Sequence, residues 1–364
     1  MRINLAFHAF GDNLARFTVN NGNARFVAAC FDAQNMHSYD LPIDPHKRKE
    51  KMSKIIQVGT RGSKMALLQT QAVVDAVHAL DLGYTLEPFI IQTTGDWKPE
   101  HGEKSLGSYG TGGNGVFVRE IENALADGRV RCAVHSLKDM PSTPPEGFAV
   151  DHVLKREEPR DAFVSFKYNS LDDMPAGAVL GTSSLRRRAI ILQKRQDLQL
   201  APLRGNVPTR LEKMQQGQVD AAILGAAGLQ RVGMTEQIKH YFDPAEMLPA
   251  CGQGTVAIEI KSDDDELRTL FDKIHCATTG LCIAAERAVL RTLGGSCQTP
   301  MGAYASLANG QMALAALIAD MDCSNVREAA LTGAVNTRQE AEALGTKLAQ
   351  QLLAQAPAKS ACSC

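Results

Sequence analysis

Ile55-Ile56-Gln57-Val58-Gly59-Thr60-Arg61-Gly62-Ser63 sets an apolar run against a polar turn that ends on a hydroxyl. Ile55 to Val58 reads as a buried strand, and Ser63 as the cap of a helix from Lys64 to Leu80 with Leu68, Ala72, Ala76 and Leu80 as its stripe. The junction recurs. Val179-Leu180 leads into Gly181-Thr182-Ser183-Ser184-Leu185-Arg186-Arg187-Arg188 and a helix to about Lys194, a second strand-to-helix turn opening on hydroxyl caps.

Outward from these junctions the alternation continues. Leu86 to Gln92 is the next expected strand, and Gly102 to Gly115 is a glycine-rich loop long enough to serve as a lid. Phe117, Ile121 and Leu125 recur at helical spacing, and the strand Arg131 to Val134 runs into His135-Ser136-Leu137-Lys138-Asp139-Met140-Pro141. In the second unit, the strand Leu198 to Leu203 ends at Arg204-Gly205-Asn206. A helix from Pro208 to Gln216 and a strand from Val219 to Leu224 follow, with the turn Gly225-Ala226-Ala227-Gly228 after them. Such alternation with short connections indicates two α/β domains with largely parallel sheets, and Thr255 to Ile260 is expected to return to the first. A long helix from about Thr279 to Leu293 then delivers the chain to Gly294-Gly295-Ser296-Cys297-Gln298-Thr299-Pro300. Strands at Met301–Ser306, Met312–Ala319 and Glu328–Val335 and a helix from Arg338 to about Ala354 make a small α+β third domain.

A chain of 364 residues exceeds what one core usually organises. Its 44% hydrophobic and 22% charged residues are those of an ordinary globular protein, and a net charge of -1 directs no global field at nucleic acid or an acidic membrane. No apolar run approaches a membrane span. Nine cysteines without framework spacing suit a reducing, cytoplasmic setting, and the His275-Cys276, Cys282 and Cys362-Cys364 groups lack metal-ligand spacing, so no metal is expected. Residues 1–51 show neither a transit nor a signal pattern and are expected to be a disordered extension of unknown role.

Ligands of open α/β sheets bind at the carboxyl ends of strands. Arg61, Arg186, Arg187, Arg204, Arg210 and Arg231 sit there with the hydroxyls Ser63, Thr182 and Ser184. Cations beside a helix's first turn are disfavoured by up to about 1 kcal/mol unless an anion joins them, so a ligand with several carboxylates or phosphates is implied. No Walker or GxGxxG phosphate loop follows a strand, and bidentate arginine forks suit carboxylates. Arg188 reads as a surface residue. Asp139 is an acid among these bases, suited to acid/base work or to stabilising positive charge, with Lys138 as a further anion contact. Cys297, on a turn after two glycines, is a thiol held for presentation or a small buried one.

Thr60-Arg61-Gly62-Ser63, Gly115-Val116-Phe117-Val118, Ala133 to Pro141, Glu158-Pro159-Arg160-Asp161-Ala162-Phe163, Gly181 to Arg187, Leu203-Arg204-Gly205-Asn206-Val207, Leu248 to Gly254 and Gly295-Ser296-Cys297-Gln298 together resemble porphobilinogen deaminase, also called hydroxymethylbilane synthase. The resemblance runs from about Met52 to the last helix. It implies a transferase that condenses four porphobilinogen molecules into a linear tetrapyrrole with loss of ammonia, primed by a dipyrromethane cofactor bonded to Cys297 through a thioether. It implies Asp139 as the catalytic residue; Lys138, Ser184, Arg186, Arg187, Arg204, Arg210 and Arg231 as cofactor contacts; and Arg61, Ser63 and Phe117 as substrate contacts. The expected architecture is two α/β domains like those of periplasmic binding proteins, 52–155 with 251–275 and 156–250, then an α+β domain over 276–357 and a tail over 358–364. A monomer is expected. Asn114 stands where the family carries a lysine, and residues 1–51 have no counterpart there. The rival readings are a non-enzymatic two-lobed anion-binding protein, which gives Cys297 no task, and a cysteine acyl transferase, which needs a histidine base near the thiol.

Overall fold

The computed structural model describes residues 53–93, 118–296 and 299–355, together with the backbone of three strands nearer the amino terminus. Cys297, Phe117, the Gly102–Gly115 loop with Asn114, and the Cys362–Cys364 tail lie outside the described residues. Contacts divide the chain into Met1–Lys51 and Met52–Cys364. In the first unit, β1 (Ala6–Phe10), β2 (Leu14–Asn20) and β3 (Arg25–Cys30) form an antiparallel meander. Where the sequence reads as disordered, these three segments therefore pair; their apolar and β-branched residues, such as Phe17, Val19 and Val27, suit extended structure.

The second unit opens with β4 (Lys54–Arg61), α1 (Lys64–His78), β5 (Tyr84–Ile91), α2 (Arg119–Ala126), β6 (Cys132–Ser136) and β7 (Phe148–Val153). The chain then crosses to β8 (Asp161–Ser165), β9 (Val179–Gly181), α3 (Leu185–Lys194), β10 (Gln199–Ala201), α4 (Val207–Gln215), β11 (Ala221–Gly225), α5 (Ala226–Arg231) and β12 (Ile238–Tyr241). It returns as β13 (Val256–Lys261) and continues through α6 (Asp265–Asp272), α7 (Ala277–Thr292), β14 (Met301–Ala308), β15 (Gln311–Ile318), β16 (Arg327–Ala334) and α8 (Arg338–Ala354).

Two five-stranded sheets result, β5-β4-β6-β13-β7 and β10-β9-β11-β8-β12, and they repeat one topology. In each, three strands are parallel and the last two run antiparallel to their neighbours. The sheets are thus mixed rather than largely parallel. The reason lies in the connections: β13 enters the first sheet from the second, and β8 enters the second from the first. Each sheet contains a strand that the chain reaches only after crossing. The short, fully buried Asp161-Ala162-Phe163-Val164-Ser165 gives no alternation by which to recognise β8.

Both sheets carry helices. Ile56, Val58, Leu86, Val134 and Ile258 pack with Val73 and Val77 of α1 and Phe271 of α6. Phe163, Leu180 and Ile223 pack with Ile190 and Ile191 on one face of the second sheet, while Val164, Leu211 and Leu224 pack on the other. Each fully buried side chain of this size contributes about 1.5–3 kcal/mol. The buried face of α1 is Ala66, Gln69, Thr70, Val73 and Val77, not the Leu68, Ala72, Ala76 and Leu80 stripe; Leu68 is 36% exposed. Polar pairing rotates the helix. Thr70 Oγ1 donates to Thr60 Oγ1 at 2.7 Å, and Gln69 Nε2 donates to Ser136 Oγ at 2.8 Å, which satisfies groups that an apolar count assigns to solvent.

The antiparallel sheet β14-β15-β16 packs against α7 and α8 through Ala285, Val289, Leu314, Leu348 and Leu352. Glu286 of α7, fully buried, joins this layer to both crossings. It accepts from Arg156 Nη1 at 2.5 Å, from Gly252 N at 2.7 Å and from Ala305 N at 2.8 Å. Arg156 lies on the outgoing crossing and Gly252 on the returning one, so one carboxylate ties three chain segments. Glu286→Ala leaves Arg156 an uncompensated buried cation and is expected to cost about 3–5 kcal/mol. Chemical denaturation measures this; a loss under about 1 kcal/mol would mean that the segments hold together without it.

Candidate active site

The carboxyl ends of β4, β6, β9 and β11 face a cleft of about 680 Å³. It is lined by Arg61 and Ser63 after β4, Lys138 and Asp139 after β6, Ser184, Arg186 and Arg187 at the start of α3, Arg204 and Arg210 around α4, and Arg231 at the end of α5. Every site residue expected from the sequence that falls among the described residues is therefore in one cleft. Asp139 is the one carboxylate among the described lining residues.

Local structure accounts for the placement. Ser63 caps α1 by accepting from Ala66 N at 3.3 Å, and Ser184 caps α3 by accepting from Arg187 N at 3.4 Å. Asn206 caps α4, and Gly205, at φ +113, turns the chain so that Arg210 Nε donates back to its carbonyl at 2.7 Å. Lys138 and Asp139 sit on a 3₁₀ turn, Leu137–Asp139, that stops β6 at the cleft wall. Arg231 Nε pairs with Glu157 at 2.7 Å.

Arg186 and Arg187 have an internal partner that the sequence reading did not assign. Asp161, fully buried at the start of β8, is 2.8 Å from Arg186 Nη2 and 2.7 Å from Arg187 Nη2, and accepts from Gln253 Nε2 at 2.8 Å. Burial alone would push the Asp161 carboxyl up; the two guanidiniums outweigh it and hold the group far below the usual carboxylate range. Arg187 Nη1 also donates to Ile223 O at 2.8 Å. Nothing around Asp161 in the sequence signals this, since its partners lie on α3 and before β13, far away along the chain. Arg188, the next residue of α3, is exposed, as the sequence reading has it.

Even so, two of these guanidiniums keep an unsatisfied N–H group. Arg187 Nε and Arg231 Nη2 are buried without a hydrogen-bond partner among the described residues. Burial draws the Lys138 ammonium below its ordinary value, and the charges of Arg187 and Arg210 add to that while Asp139 opposes it. Such a donor set fits a polycarboxylate such as dipyrromethane, whose acid groups would satisfy the orphaned N–H groups and favour the charged form of the lysine.

Ser296 and Thr299, the described residues on either side of positions 297 and 298 in the sequence, both line the same cleft. Gly294 N donates to Arg291 O at 3.1 Å and Gly295 N to Leu290 O at 2.9 Å, a Schellman ending to α7 with Gly294 at φ +63. A β-carbon on Gly295 would sit 2.1 Å from Met301 Sδ, so any other residue there forces the Met301 side chain to move.

Comparison with known proteins agrees with this chemistry. Residues 56–269 match the family described as "Porphobilinogen deaminase, dipyromethane cofactor binding domain", and residues 280–354 match its C-terminal domain. The chain belongs to the porphobilinogen deaminase family. A porphobilinogen deaminase from Chromobacterium violaceum is 45% identical over 83% of this chain and 95% of that relative. Another, from Paraburkholderia phymatum, is 44% identical over 82% and 90%. Among solved structures, a periplasmic substrate-binding protein of an ABC transporter from Coxiella burnetii is 16% identical, covering 61% of this chain and 92% of its own, with a TM-score of 0.38. The porphobilinogen deaminase assignment does not favour the non-enzymatic reading of the two sheets. Among the described residues, no helix is long and apolar enough to cross a membrane.

Behind β6, on the sheet face covered by α2, His135 Nε2 lies 3.0 Å from Glu259 Oε2. Glu259 Oε1 and Glu122 Oε1 are buried without partners among the described residues. Burial, followed by the Glu259 charge, pushes the Glu122 carboxyl from 4.5 up to about 7, and His135 only partly opposes this. The native state thus favours the protonated acid, and that stability is complete below pH 4.5 and lost as pH rises through about 7. Glu122→Gln, neutral at every pH, is expected to gain in Tm over the wild type between about pH 5 and about pH 8. A Tm difference that stays constant over that range assigns the titration to another group.

Proposed function

We propose that the chain is a hydroxymethylbilane synthase that joins four porphobilinogen molecules head to tail and releases ammonia at each step. The observation that carries this reading is a cleft that, among the described residues, sets one carboxylate, Asp139, among eight cationic side chains, with Ser296 and Thr299, which flank positions 297 and 298 in the sequence, on its lining. We take Cys297 as the attachment point of a dipyrromethane primer, which when bound supplies the free pyrrole position that the first substrate joins. Arg186, Arg187, Arg204, Arg210, Arg231, Lys138 and Ser184 hold its carboxylates, Arg61 and Ser63 hold those of the incoming substrate, and Phe117 is a further substrate contact.

Each porphobilinogen carries an acetate and a propionate. Guanidinium forks orient these groups, so that the aminomethyl carbon comes to rest beside Asp139. The Asp139 carboxylate holds a proton of the aminomethyl nitrogen while the C–N bond breaks and its electron pair leaves with ammonia. In a cleft of low dielectric the same negative charge stabilises the positive charge left on the substrate pyrrole. The two crossings that join the sheets suit opening and closing of the cleft as the chain lengthens.

The proposal includes three domains at 52–155 with 251–275, 156–250 and 276–357. It also includes a monomer in the cytoplasm that needs no metal, nucleic acid or membrane. The balance of charge over the chain, -1, supports no partner of strongly opposite charge.

Intact-mass measurement of the purified protein is expected to show an adduct of two linked substrate pyrroles, mapped by peptide analysis to Cys297. An unmodified and fully active protein defeats the assignment. Asp139→Asn is expected to retain the adduct and the fold while turnover falls by about a hundredfold or more. Near-normal turnover in that variant removes Asp139 from the chemistry.

A further inference from the structure

Arg287, beside Glu286 on α7, is 7% exposed and lines the cleft with Lys138, Asp139, Ser296 and Thr299. Its Nη2 donates to Pro141 O at 2.8 Å and to Ser142 O at 2.9 Å, carbonyls that follow the Asp139 turn. Two carbonyl dipoles are a poor exchange for hydration of a full charge. Burial and then the nearby Arg291 draw the guanidinium down to about 10, and the field of Asp151 does not offset them. Arg156, Arg186 and Arg187, close by, each have a carboxylate in contact: Arg156 has Glu286, and Arg186 and Arg187 have Asp161. A guanidinium offers five N–H groups in a fixed fork, so the bonds to Pro141 and Ser142 leave donors for a further acceptor.

We propose that Arg287 contacts a carboxylate of the pyrrole chain and positions Asp139: Nη2 stays on the carbonyls beyond Asp139 while its other N–H groups take an acetate or propionate in the cleft. The helix that leads to the cysteine turn is thereby registered against the segment that bears the acid. This rests on the deaminase reading above. The carboxylate belongs either to the incoming porphobilinogen or to the chain already attached.

Steady-state kinetics with porphobilinogen and quenched intact-mass analysis of Arg287→Gln and Arg287→Lys test the idea. If the incoming substrate supplies the carboxylate, Arg287→Gln raises KM by about tenfold or more, the worth of a charge-assisted hydrogen bond. If the attached chain supplies it, KM holds and the population of enzyme-bound intermediates shifts in chain length. In either case Arg287→Lys, which keeps the charge but not the fork, recovers part of the effect. A purely structural role lowers only the active fraction. A folded Arg287→Gln protein with wild-type KM and a wild-type intermediate population overturns the proposal; should that variant not fold, the same two readings on Arg287→Lys decide it. The wild-type adduct is measured in parallel. Its absence counts against the deaminase reading, whereas its presence with unaffected Arg287 variants counts against this inference alone.

Discussion

Asp161 is the constraint on which the cleft depends. Two consecutive arginines in the first turn of α3 face the positive end of that helix, and both are buried. Unaided, each would suffer desolvation, repulsion from the other and the unfavourable dipole. The carboxylate between them, 2.8 Å from one and 2.7 Å from the other, makes the arrangement tenable before any ligand arrives. Gln253 then fixes the carboxylate from the returning crossing at 2.8 Å. Arg186 and Arg187 are therefore held by the framework of the two sheets, which would limit the entropy lost if a carboxylate ligand engaged them as proposed.

That framework relies on exchange. The first sheet is completed only when β13 returns from the second, whereas the second runs continuously from β8 to β12 once the chain has crossed. Asp161 begins β8, Gln253 precedes β13, and Glu286 clasps Arg156 and Gly252 between them. The residues that neutralise the cleft are thus those that mark the crossings. A change in the angle between the sheets would be felt first at these buried charges, where geometry matters most.

Much of this was legible from residue order. Local signals served well wherever a cap, a turn or a helix period was at stake: Ser63, Ser184 and the α8 helix from Arg338 to Ala354 stand as the pattern implies. The strand-end rule likewise brought Arg61, Lys138, Asp139, Arg204, Arg210 and Arg231 to one cleft. Three features were not legible. The α1 face turns on Gln69 and Thr70, whose hydrogen bonds form only when β4 and β6 are beside them. The antiparallel direction of β8 and β13 is a property of the crossings rather than of any window of sequence. Asp161, Glu286 and Arg287 look like ordinary charged residues until the packing removes water from them.

The proportions of charge carry a last step. Asp161 satisfies part of Arg186 and Arg187 yet leaves Arg187 Nε and Arg231 Nη2 without partners among the described residues, and burial still depresses Lys138. A cleft built for one small anion would need two or three cations, since each further buried charge without a counter-ion is destabilising. Cations spread along both walls, with a single acid at Asp139, suit a ligand whose negative charge grows while one fixed carboxylate serves each addition in turn. On the proposed reading, every added pyrrole would bring two carboxylates to this cationic lining, so elongation would draw on electrostatic stabilisation already present in the cleft. As those cations become occupied, the gain per addition falls, and a chain of limited length is the natural end of such a process.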